Sequence, residues 1–169
     1  MKQEVASFLD YVAHSPTVFQ ATQQACDMLD AAGFTRLSEH EAWEILPGGR
    51  YYVTRNRSAL VAFAVPENGF THCQIVASHG DSPTFKLKAH AEGEAAGAYI
   101  RLDVEPYGGM IMSTWFDRPL SIAGRALVRE DGRLVTRLID LDRDAALIPN
   151  MPIHFNRDIN SGHSYNPQT

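Results

Sequence analysis

The stretch His72-Cys73-Gln74-Ile75-Val76-Ala77-Ser78-His79-Gly80-Asp81-Ser82-Pro83 joins a short apolar run to an abrupt break. Residues 72–78 have the near-continuous apolar character of a strand buried on both faces, and such strands belong to sheets covered by helices. Gly80 and Pro83 end the run. In sheets of this kind ligands gather beyond the carboxyl ends of the strands, which is where His79 and Asp81 fall. Two residues apart in extended backbone, they point to the same side. A histidine that ligates a metal commonly has its second ring nitrogen held by a carboxylate or carbonyl, which fixes the tautomer. The same spacing also suits a turn histidine followed by an aspartate that caps nearby amides. Spacing alone does not separate the two readings.

Upstream, the periodicity is helical. Val5, Phe8, Leu9 and Val12 predict an amphipathic helix over residues 2–13. Ser15-Pro16 reads as an N-cap with proline at the first helical position. The helix it opens carries Val18, Ala21, Ala25, Met28, Leu29 and Ala32 and closes at Gly33, with Phe34 as the apolar contact beyond. After the Pro47-Gly48-Gly49 loop, residues 50–55 and 58–65 are strand-like and flank Asn56-Arg57, which predicts a hairpin.

Downstream, Lys86-Leu87-Lys88 and the Ala- and Gly-rich residues after it mark a break near 86–97. From Gly97 onward the pattern is all β. Tyr99, Arg101 and Asp103 alternate with Ile100, Leu102 and Val104. Gly108-Gly109 interrupts before Met110–Phe116, and residues 122–129 and 133–141 flank the turn residues Asp131-Gly132. Met151–Thr169 is polar, without a closing helix or strand. The order is two helices, then mixed β, then mostly β.

Other titratable residues are less informative. His14, His40, His72 and His90 read as surface or structural, and His163 as a loop residue. His154 lies between Ile153 and Phe155, so in a strand it would face away from both apolar neighbours. Asp117-Arg118 on a β edge is structural or an intersubunit contact, worth ~1 kcal/mol or less if exposed.

Composition narrows the class. The 169 residues are 44% hydrophobic and 21% charged, as in an ordinary globular domain. The net charge of −5 comes with scattered basic residues, which argues against a nucleic-acid partner. The longest apolar run, Ala59–Val65, is far short of the ~20 residues that span a bilayer, so no membrane role is expected. No apolar signal core follows Met1, and the expected compartment is the cytoplasm. Cys26 and Cys73 could form one disulfide, but two buried, reduced thiols fit that compartment better. No Gly-x-Ser-x-Gly elbow, phosphate-binding glycine loop or Cys-x-x-Cys pair is present.

Three stretches together resemble the M18 family of metallo-aminopeptidases, the aspartyl aminopeptidases. The first runs from Val76 through His79-Gly80-Asp81-Ser82-Pro83 to Lys88 and is similar to the family's first metal motif. The second joins Val104-Glu105-Pro106-Tyr107-Gly108-Gly109 to Ser113-Thr114-Trp115-Phe116-Asp117-Arg118-Pro119-Leu120 and Ala123-Gly124-Arg125. The third is Ile153-His154-Phe155-Asn156-Arg157-Asp158-Ile159-Asn160, ending in Asn166-Pro167-Gln168. Ser15-Pro16 and Ala32-Gly33-Phe34 also fit. Gly80 and Thr84 depart from the commoner residues at their positions, and neither is a ligand.

The resemblance implies an α/β catalytic segment of N-terminal helices and mixed sheet, interrupted by a mostly β inserted dimerisation domain. Residues 1–88 would be the first part of the catalytic domain and residues 89–169 part of the insertion. His79 would be a zinc ligand and Asp81 the acidic catalytic residue supporting it. His154 would be a catalytic residue reaching a neighbouring subunit's active site. Two zinc ions, or other divalent metals, would serve the complete enzyme, which would remove N-terminal acidic residues, Asp or Glu, from peptides. It would be a dimer-based homo-oligomer, up to a dodecamer. Family members are more than twice this length, and the bridging aspartate, the glutamate base and the other ligands would lie beyond Thr169. The chain by itself is therefore expected to be inactive and to expose apolar surface. A competing reading makes it a non-catalytic self-association module derived from such an enzyme. A related zinc hydrolase acting on a non-peptide amide is disfavoured by the second and third stretches.

Overall fold

The spacing of Val5, Phe8, Leu9 and Val12 is realised in α1, Gln3–Ala13. The next helix, α2, is Val18–Ala31, and its cap is Thr17, two residues beyond the expected Ser15. Thr17 has the extended backbone of an N-cap, and its Oγ1 accepts the Phe19 N–H at 3.2 Å, satisfying one of the amides that a helix start leaves open. The far end follows the expectation closely. Gly33 takes φ +76°, its N–H donates to Asp30 O and the Phe34 N–H donates to Leu29 O, each at 3.0 Å. These are the two bonds of a Schellman closure. Tyr11 ties the helices together by donating to Ala21 O.

The computed structural model describes residues 2–162, 164 and 165; His163 and Asn166-Pro167-Gln168 of the third stretch lie outside the described residues. By contacts the chain divides into Met1–Asp81 with Ile122–Asp142, and Ser82–Ser121 with Arg143–Thr169.

In the first unit α2 is followed by β1, Thr35–Leu37, a strand too short to carry a pattern in the sequence. It runs parallel to β2, Arg50–Arg55, which pairs antiparallel with β3, Ala59–Ala64. The hairpin falls where Asn56-Arg57 predicted it, and both residues have positive φ. Tyr52, in the middle strand, is completely buried, and Cys26 of α2 is buried with it. The Tyr52 hydroxyl donates to Asp30 Oδ1 at 2.7 Å. Burial, reinforced by this bond to a carboxylate, pushes the Tyr52 phenol up to about 12, and burial also pushes the Cys26 thiol up. Cys73, by contrast, is exposed, which corrects the expectation of two buried thiols.

The raised phenol makes stability pH-dependent in a known direction. A group that ionises later in the folded state than in the unfolded state adds stability below its unfolded pKa of ~10 and loses it as pH rises through the folded value. The Tyr52 contribution should therefore hold through neutral pH and disappear between ~10 and about 12. A thermal-unfolding series should show an alkaline fall in midpoint that Tyr52→Phe shifts or removes. An unaltered alkaline limb in that variant would place the titration elsewhere.

The same unit is completed by a distant hairpin, β6, Ala123–Glu130, and β7, Arg133–Asp140, turned at Asp131-Gly132 as expected. Gln20, buried on α2, donates its amide to Ile139 O at 2.8 Å and Gly124 O at 3.3 Å. Arg125 lies over the Phe19 ring at 4.2 Å and donates to Asn56 O at 2.6 Å and Asn56 Oδ1 at 3.1 Å. Gln20→Leu keeps much of the volume but loses both bonds. It should cost ~1–2 kcal/mol, read as a lower denaturant midpoint with an unchanged slope. An unchanged midpoint would mean that the Arg125 contacts alone hold the hairpin.

In the second unit β4, Thr84–Ala95, pairs antiparallel with β5, Tyr99–Tyr107, with a bulge between Leu87 and Glu92. Ala96 and Gly97, both at positive φ, reverse the chain between them. β4 continues through residue 88, where the sequence suggested a boundary. Met112–Trp115 is a 3-10 turn rather than strand. It places the Trp115 ring edge-on to Phe85, with centroids 5.4 Å apart. Met151 onward has no helix or strand among its described residues, as expected.

The largest departure concerns residues 72–83, which form no strand. Ile75 is 81% and Val76 92% exposed. The apolar run has the composition of a central strand, but no described strand pairs with it. A strand needs hydrogen-bonding neighbours, and those are non-local.

Candidate metal centre

His79 and Asp81 are brought together by the local backbone alone. His79 Nδ1 lies 2.9 Å from Asp81 O and 3.3 Å from Asp81 Oδ1. A carbonyl oxygen only accepts, so Nδ1 carries the proton. In the neutral ring the lone pair then belongs to Nε2, the nitrogen needed by a metal ion. The His79 side chain is 83% exposed, so this nitrogen is not enclosed by packing. Gly80 has no atom within 4 Å of where a Cβ would stand and does not take a left-handed backbone, so serine or threonine would fit there.

Zinc takes nitrogen, sulfur and carboxylate donors, and a catalytic site uses about three protein ligands. His79 with its oriented Nδ1 fits one such donor. Among the described residues no group of three or more His, Cys, Asp or Glu side chains is arranged to hold an ion.

His154 lies in the other unit, exposed, and in a turn rather than a strand. Pro152 O accepts the Phe155 N–H at 2.9 Å and the Asn156 N–H at 3.3 Å, closing the turn around it. Asp117, read from the sequence as a strand-edge residue, instead has φ +54° and accepts the Asn150 N–H on Oδ1 at 2.8 Å. Arg118 reaches Thr114 O at 3.4 Å. The capping role of Asp117 was missed because its partner is 33 residues away. The only local hint was an aspartate, a residue that tolerates positive φ, next to a proline-containing turn.

The family model of the aminopeptidase I zinc metalloproteases (M18) matches residues 11–169, and the chain belongs to this family. It is 43% identical over 162 residues to the "Probable M18 family aminopeptidase 2" of Pseudomonas putida (strain GB-1), covering 95% of this chain and 38% of that protein. The corresponding Clostridium acetobutylicum protein is 43% identical over 178 residues, covering 99% of this chain and 40% of that one. The chain spans about two fifths of the length of these curated relatives. Among solved structures it resembles a chain of the Ape4 and Nbr1 complex, with TM-score 0.90, 41% identity, and coverage of 97% of this chain and 32% of that one. It also resembles the S. cerevisiae mApe1 dodecamer, with TM-score 0.79, 30% identity, and coverage of 88% and 36%. The two helices and mixed sheets are the α/β arrangement expected. Among the described residues, no helix is long and apolar enough to cross a membrane.

Proposed function

We propose that this chain is the N-terminal part of a cytoplasmic zinc aminopeptidase that removes acidic residues, Asp or Glu, from the N-termini of peptides. The observation that carries the reading is the His79 ring, whose Nδ1–H is held by Asp81 so that Nε2 is left as a metal donor, in a chain of the M18 family. Residues 1–88 belong to the catalytic domain in this reading and residues 89–169 to an inserted dimerisation domain. His79 would hold one of two zinc ions together with ligands from the rest of the enzyme, and a metal held there would supply Lewis acidity to the scissile carbonyl and to an attacking water. Asp81 keeps the proton on Nδ1 and so keeps Nε2 available. His154, exposed on its turn, extends into the active site of a neighbouring subunit. The dodecamer of the related mApe1 supports an oligomer of this kind.

The test is hydrolysis by the complete enzyme of peptides that differ only at the N-terminal residue. Glu- and Asp-initiated peptides should be cleaved at least ~10-fold faster than Leu- or Lys-initiated ones, a difference of about 1.4 kcal/mol. Chelation should abolish turnover, and zinc or cobalt should restore it. Preference for a neutral residue would overturn the acidic specificity alone. No cleavage of any of these peptides after metal is restored would overturn the aminopeptidase reading.

A further inference from the structure

We propose that Asp117 is the positioning residue for His154, an inference that rests on the reading of His154 given above. Between Asn150 and Tyr165 the described residues form neither helix nor strand, so the course of this segment depends on what holds its ends. Two adjacent residues hold both. On the near side the Asn150 N–H donates to Asp117 Oδ1 at 2.8 Å, and the Asp117 N–H donates to Ile148 O at 3.0 Å. On the far side the Phe116 ring meets the Tyr165 ring with centroids 5.3 Å apart. Bridges from Phe116 to Ile148 and from Leu120 to Ala146 extend the near-side grip. The turn bearing His154 lies between these two anchors.

Position 117 makes two demands on its residue. Its φ of +54° is costly for most side chains but tolerated by aspartate, asparagine and glycine. Its side chain must also accept from the Asn150 amide, and a carboxylate does so more strongly than a neutral group. Alanine fails both demands, glycine fails only the second, and asparagine meets both. That ladder separates the acceptor from the backbone conformation. With the Asn150 amide released, the imidazole four residues on would lose its fixed approach to the neighbouring subunit, and misplacement of ~1 Å can cost ~100-fold in rate.

The experiment compares D117N, D117G, H154A and D117G/H154A in the complete enzyme, by steady-state kinetics and by amide exchange over residues 146–156. D117G should lower kcat by ~10- to 100-fold and speed exchange across that segment. D117N should stay within about threefold of the parent on both readouts. The double variant should be no slower than H154A, because the two changes remove one function. D117G and H154A effects that multiply, or D117G exchange and kcat that match the parent while H154A is slow, would overturn the inference. An H154A enzyme as fast as the parent would sink the reading of His154 itself, and this inference with it.

Discussion

Replacing His79 with alanine in the complete enzyme should lower kcat/KM by at least ~1,000-fold, about 4 kcal/mol of transition-state stabilisation. It should also reduce bound metal, measured by elemental analysis after dialysis. The expectation follows from ligand number. A catalytic zinc ion held by about three protein groups loses a third of them, and the position vacated is open to water. The neighbouring substitution should behave differently. Nδ1 is nearer the main-chain oxygen of Asp81, at 2.9 Å, than its carboxylate, at 3.3 Å. Asp81→Ala therefore keeps one support for the ring, and its loss should fall near 10-fold within the ~10- to 100-fold range for residues behind a ligand. Full metal occupancy and activity in the His79→Ala enzyme would remove this imidazole from the centre. A loss in Asp81→Ala as large as that in His79→Ala would mean that the carboxylate has a direct role.

The second large effect concerns a polypeptide of residues 1–169 by itself. It should show no turnover of fluorogenic aminopeptidase substrates even with zinc or cobalt added, because His79 and Asp81 bring too few donors to hold a catalytic ion. It should also self-associate and bind a hydrophobic dye. On α1, Val5, Phe8, Leu9 and Val12 are all exposed, and Ile75 and Val76 are almost fully so. In the other unit Tyr99, Ile100 and Phe155 stand out in the same way. Each such aliphatic side chain gains ~1.5–3 kcal/mol when fully buried, and contiguous exposed apolar patches mark interaction surfaces. Turnover by the isolated polypeptide would show that the site lies elsewhere. A dilute, monomeric species that ignores the dye would show that these side chains are not sticky enough to matter.

Much of the local structure was legible before any coordinates. The α1 stripe, the Gly33-Phe34 closure of α2, the Asn56-Arg57 hairpin and the Asp131-Gly132 turn all rest on interactions within a few residues, and each formed where its residues indicated. The near misses were local competitions. Thr17 rather than Ser15 caps α2, and Met112–Trp115 takes a 3-10 turn within a stretch that read as all β. The pairing of His79 with Asp81 was readable for the same reason, since two residues in sequence brought them within reach.

Sequence by itself thus determined the two helices, the hairpins with their turns and the short-range support of the His79 ring, because backbone propensity, capping and two-residue contacts depend on neighbours in the chain. Tertiary structure alone decided that β1 joins β2 in parallel, that Gln20 and Arg125 fasten α2 to a hairpin through contacts more than a hundred residues apart in sequence, and that Asp117 grips Asn150. It also decided that the apolar run of residues 72–78 stays unpaired among the described residues. Apolar character is a property of a segment, whereas the hydrogen bonds of a sheet belong to two segments at once.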